Sequence, residues 1–195
     1  MAQNSTNARH DSHATTVQGS GWSTKRIAVT ALFCAVAAIA TLFLEFPLLP
    51  GAPWLKYDPS GIVALIAGFA FGPGTAAVVS ILPYLVHFAT SSGIYGVIMA
   101  ILATFALAVP AALVYRRMTT MRGAVIGLVV GGVVCLAACI LGNILITPLF
   151  MPGTTVEAVV GMIVPILLPF NLIKVIINCV VTALVYKPLS KALQD

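Results

Sequence analysis

The dominant constraint on this chain is a series of six long apolar stretches, separated by short polar or Pro/Gly-rich turns, that takes up nearly everything after residue 22. They run from Ile27 to Leu44, from Gly61 to the Gly72-Pro73-Gly74 turn, from that turn to His87, from Ile94 to Tyr115, from Gly123 to Phe150 and from Met162 to Tyr186. A spanning helix needs about 20 mostly apolar residues to cross roughly 30 Å of hydrocarbon. Only helices or closed barrels satisfy every backbone polar group there. With 60% hydrophobic residues, 8% charged residues and a mean hydropathy of +1.07, a water-solvated surface is excluded. The expectation is an all-α membrane protein of six transmembrane helices over residues 23–195, with no room for an extramembrane domain.

Residues 1–22 are rich in Ser, Thr, Asn, Gln and His and hold too few large apolar groups to bury a core, so a disordered cytoplasmic tail is expected. This polar stretch is too long for the n-region of a signal peptide. The Pro-rich segment Glu45 to Pro59 can be neither helix nor lipid-exposed irregular backbone, so it must be an ordered loop lying on the protein. Gly72-Pro73-Gly74 is a tight turn that folds the second and third stretches into a hairpin.

The net charge of +5 is spread in ones and twos at the ends of apolar runs, a topology signal and not a nucleic-acid patch. Lys25 and Arg26, then Arg116, Arg117 and Arg122, then Lys187 and Lys191 all fall on one side of a six-span chain. Both termini are therefore expected in the cytoplasm. The outward loops keep Lys56, Asp58, His87 and Glu157 but no basic cluster. Cys34, Cys135, Cys139 and Cys179 lie within apolar runs without metal-site spacing and read as small hydrophobes.

Lys174 is about twelve residues from either end of the last stretch, too deep to snorkel easily. A lysine there costs roughly 2.5 to 3.5 kcal/mol, which points to a polar cavity or a ligand. Asn171 and Asn178, at i−3 and i+4, share its stripe of the helix. Asn143 on the preceding stretch, with Thr147 and Pro148 beyond it, lies at a depth where one pocket could collect it together with Lys174. Trp54, Lys56 and Tyr57 of the outer loop could stack on and bond to a flat aromatic ligand. Two plainer readings stand beside these: an interhelical hydrogen-bond network for Lys174 and the asparagines, and headgroup anchoring for Trp54 and Tyr57. Small residues at Gly123, Gly127 and Gly131, or at Ala31 and Ala35, recur at helix-packing intervals. The chain has no Gly-Lys-Ser/Thr phosphate loop, no zincin motif, no Gly-x-Ser-x-Gly elbow and no carboxylate in the middle of a span. ATP hydrolysis, metal chemistry and ion-coupled transport thus find no constellation.

Three segments resemble a known family: Glu45-Phe-Pro-Leu with Leu55-Lys-Tyr-Asp-Pro-Ser60, then Ala64-Leu-Ile-Ala-Gly-Phe-Ala-Phe-Gly-Pro73, then Leu168-Pro-Phe-Asn-Leu-Ile-Lys174. They are similar to the substrate-capture S components of prokaryotic energy-coupling factor (ECF) vitamin transporters, and specifically to the riboflavin S component, over about Lys25 to Lys191. The resemblance implies a six-helix cell-membrane subunit that is not itself an enzyme. It would bind riboflavin, with its monophosphate as a second candidate, as transported ligand and not as cofactor. It would deliver this inward with a membrane scaffold subunit and two cytoplasmic ATPases. Asn171 and Lys174 would bond the polar edge of the isoalloxazine ring, Trp54 and Lys56 would close over it, and Ala31 and Ala35 would touch the scaffold. Two positions depart from the pattern. Gly61 stands where an acidic residue commonly follows Asp-x-Ser, and the fifth-span asparagine falls at Asn143, one position nearer Pro148 than expected. An S component for another vitamin, or a stand-alone facilitator or small membrane enzyme, are the alternatives.

Overall fold

The computed structural model describes residues 22–89 and 93–192; of the expected tail over 1–22, residues 1–21 lie outside them. Helix α1 covers Thr24–Phe43, followed by strands β1 (Phe46–Pro47) and β2 (Lys56–Tyr57), α2 (Ser60–Phe71) and α3 (Pro73–Ile81). The chain continues α3 as a 3₁₀ turn over Leu82–Ala89, then forms α4 (Gly93–Arg117), α5 (Met121–Phe150) and α6 (Val156–Met162). A π-helical turn, Ile163–Leu167, leads into α7 (Leu168–Ala192). Helix starts follow side-chain chemistry. Ser23, Thr120 and Thr155 each accept the backbone N–H three residues on, satisfying a donor that the helix leaves unpaired.

Among the described residues, four apolar helical stretches are long enough to cross a membrane: Thr24–Phe43, Ile94–Arg117, Met121–Leu149 and Val156–Tyr186. The second and third of the six expected spans are shorter apolar helices, Ser60–Phe71 and Pro73–Val86. The cause is local. Gly72, at φ 90°, ends α2 after 12 residues, its N–H bonding Gly68, and Pro73 opens α3 at once. At 1.5 Å per residue α2 is only about 18 Å long. The last long stretch, by contrast, starts six residues before the expected Met162. Thr155 caps it, and the π turn absorbs the N–H missing at Pro165 by pairing Leu168 N–H with Ile163. The Pro-rich segment is an ordered loop, held by an antiparallel pair in which Phe46 faces Tyr57 with ring centroids 5.5 Å apart.

Two helices, α4 and α5, meet backbone to backbone. A Cβ on Gly131 would lie 2.3 Å from the Leu107 carbonyl oxygen, and one on Gly127 would lie 2.7 Å from that of Ala111. The spaced glycines thus pack the bundle, except Gly123, which faces its own turn at Met118. Gly131→Ala should lower stability by about 1 to 2 kcal/mol through overpacking. Thermal melting in detergent checks this, and an unchanged midpoint would mean that the helices part without cost.

At one end of the bundle Phe69, Tyr115 and Tyr186 form an aromatic cluster with centroids 4.8 to 5.6 Å apart, and the two tyrosine hydroxyls bond each other. Arg26 spans from the start of α1 to Thr75 near the start of α3, at 3.1 and 3.2 Å. The starts of α1 and α3 and the ends of α2, α4 and α7 therefore share this end, where Lys25, Arg116 and Arg117 also sit. Helix α1 is the least covered of the four long stretches: Leu32, Val36 and Ile39 are exposed, and Ala31 and Ala35 lie exposed beside them.

Candidate functional site

At the opposite end a cavity of about 320 Å³ opens between the β1–β2 segment, α4, α5 and the start of α7. That volume is at the lower edge of the usual range for small-molecule pockets. Its wall is largely apolar, with Val97, Ala100, Ala103, Ile146 and Phe170, and the polar groups are few and grouped. Five of the six residues expected to bind ligand line it: Trp54, Lys56, Asn143, Asn171 and Lys174.

Tyr57 does not line it. Strand β2 turns this ring inward, where its hydroxyl donates to Asn178 Oδ1 at 3.0 Å and only 4% of the residue is exposed. Burial, aided by the neighbouring Asp58 carboxylate, pushes the Tyr57 phenol up to about 12, so it stays a donor. Gly61 belongs to the same contact, since a Cβ there would come 2.6 Å from Asn178 Nδ2. Gly61 thus makes room for the Asn178 amide.

Lys174 is buried, and its ammonium lies 3.6 Å from Asp58 Oδ2. Asp58 lies in the loop segment between β2 and α2, outside any span, yet it is only 5% exposed and forms part of the cavity wall beside Lys174. Its Oδ1 accepts Ser60 N–H at 3.0 Å and is also bonded by the Ser60 hydroxyl. Tyr84 OH approaches both carboxylate oxygens at 3.3 and 3.4 Å, and lies 2.6 Å from Ser60 Oγ and 2.9 Å from Thr104 Oγ1. Ser60, Tyr84 and Thr104 were missed in the sequence. The one local signal was the Asp-x-Ser spacing at a helix start, which favours a side chain bonding the backbone two residues on. A buried charge needs a partner, and Lys174 and Asp58 meet that need for each other.

The two asparagines differ in what they have left to give. Asn143 Nδ2 donates to the Cys139 carbonyl at 2.7 Å, and its Oδ1 accepts from Thr147 at 3.1 Å, so both ends are engaged within α5. Asn171 donates to the Leu167 carbonyl at 2.8 Å, while its Oδ1 has no partner among the described residues. At the more exposed end of the cavity Lys56 pairs with Glu45 at 3.2 Å across the strand pair. Each end of the cavity thus carries one cation and one anion. Among the described residues no cluster of His, Cys, Asp and Glu could hold a metal ion.

Such a site, sunk in a helical membrane bundle and built from an apolar wall with a few convergent polar groups, is arranged to hold a small molecule. A search of curated proteins found none that matches. A solved structure of the S component of a bacterial ECF transporter is 29% identical and superposes with a TM-score of 0.73, the match covering 88% of this chain and 98% of that one. The family model for the substrate-specific component of ECF transporters matches residues 25–186, from the first basic pair to the tyrosine of the aromatic cluster. The chain is therefore a multi-pass membrane protein that belongs to the substrate-specific, or S, components of ECF transporters.

Proposed function

We propose that this S component captures riboflavin from outside a prokaryotic cell membrane and delivers it inward with a scaffold subunit and two ATPases. The observation that carries the reading is the meeting of Asn171 and Lys174, the polar members of the Leu168-to-Lys174 segment, in one cavity with Trp54 and Lys56. Burying a flat ring against Val97, Ala100 and Phe170 would supply the affinity, and the free Asn171 oxygen and Lys174 ammonium would fix its orientation. The chain crosses six times in this reading, the two short helices included. The basic residues at the aromatic end put both termini in the cytoplasm and the cavity outside. Ala31 and Ala35, exposed on α1, would meet the scaffold.

The purified chain should carry the yellow flavin spectrum, or quench the fluorescence of added riboflavin at one equivalent. A colourless preparation that leaves riboflavin fluorescence unchanged sinks the assignment. In that case competition among other vitamins identifies the ligand, and uptake in cells lacking scaffold and ATPases would point to a stand-alone facilitator.

A further inference from the structure

We infer that Asp58 is a specificity-determining residue: its Oδ2 accepts a ring N–H of the ligand beside the carbonyl held by Lys174, so the site selects an uncharged ring with an imide or lactam edge. The two oxygens of Asp58 are used unequally. Oδ1 takes both donors of Ser60 and lies 3.3 Å from the Tyr84 hydroxyl, whereas among the described residues Oδ2 has only that hydroxyl at 3.4 Å and the ammonium at 3.6 Å. Hydrogen bonds of these types run to about 3.2 Å, so the ion pair attracts without being bonded. Lys174 offers three N–H donors and makes no hydrogen bond among the described residues.

The inner end therefore presents an underused acceptor and an underused donor side by side, both nearly buried, with Ser60, Tyr84 and Thr104 holding the carboxylate in place. A carbonyl next to a ring N–H offers the complementary pair in one rigid edge. An anionic group drawn to Lys174 would also meet the Asp58 charge, and a cationic one drawn to Asp58 would meet Lys174. The Glu45–Lys56 pair at the other end leaves that end balanced as well. The inference rests on the riboflavin reading, because the isoalloxazine ring carries such an edge at N3.

The test titrates riboflavin and N3-methylriboflavin against the wild-type chain and against Asp58→Asn, by fluorescence quenching. Methylation should weaken wild-type binding by about 10- to 100-fold, as expected for one hydrogen bond to a charged acceptor. The factor should shrink markedly in Asp58→Asn, which has the same shape without the charge. An equal factor in both would assign the loss to the bulk of the methyl group and overturn the inference. Should Asp58→Asn not fold, isotope-labelled riboflavin on the wild-type chain gives a second readout. An N3 proton shifted downfield and protected from exchange is expected; one that exchanges as in free riboflavin overturns the inference while leaving riboflavin capture intact. Wild-type chain that quenches neither flavin removes the riboflavin reading and this inference together.

Discussion

Asp58→Ala should lower the unfolding free energy in detergent by about 3 kcal/mol, at the lower end of what stranding one partner of a buried ion pair costs. The lower end applies because the pair lines a cavity instead of sitting in packed core. Without the carboxylate, Lys174 loses the one countercharge that pairs with it among the described residues, and Ser60 N–H loses its acceptor. The double variant Asp58→Ala/Lys174→Met should recover most of the loss, since exchanging a buried pair for apolar groups is often close to neutral. Denaturation followed by circular dichroism measures all three proteins. Asp58→Ala as stable as wild type would mean that the ammonium needs no carboxylate, and that the 3.6 Å approach contributes nothing.

The parts legible in the sequence were those fixed by nearby residues. Apolar length located the long helices, Gly72-Pro73 marked the hairpin turn, and the 171/174/178 spacing placed three polar groups on one buried face of α7. What stayed hidden depended on distant partners or on backbone adjustment. Asp58 sits in a Pro-rich segment that reads as an outer loop, and only the return of α7 brings Lys174 against it. Tyr57 reads as a ligand aromatic beside Trp54, yet the strand pair sends alternate side chains to opposite faces, and its partner is Asn178. Strands of two residues are too short for any periodicity to show. The last stretch reads as starting at Met162, and the π turn over Ile163–Leu167 that joins it to the preceding helix cannot be inferred from composition. Asn143 lines the same cavity as Lys174, but its amide is spent on Cys139 and Thr147 of its own helix, which no spacing argument reveals.

Lys174→Met should weaken riboflavin binding by about 10- to 100-fold, equivalent to roughly 1.5 to 3 kcal/mol for one charge-assisted hydrogen bond. Methionine keeps much of the aliphatic stem and removes the ammonium, so the loss would report the bond and not the burial. This variant also strands Asp58, and a weak binder could simply be a poorly folded one. The double variant separates the two causes. With both charges gone, Asp58→Ala/Lys174→Met should melt near the wild-type temperature while still failing to regain affinity, because stability needs the charges balanced and recognition needs them present. Recovered stability with wild-type quenching would show that the ligand is held by the apolar wall and Asn171 alone. The buried lysine would then be a packing feature of α7, tolerated because Asp58 neutralises it.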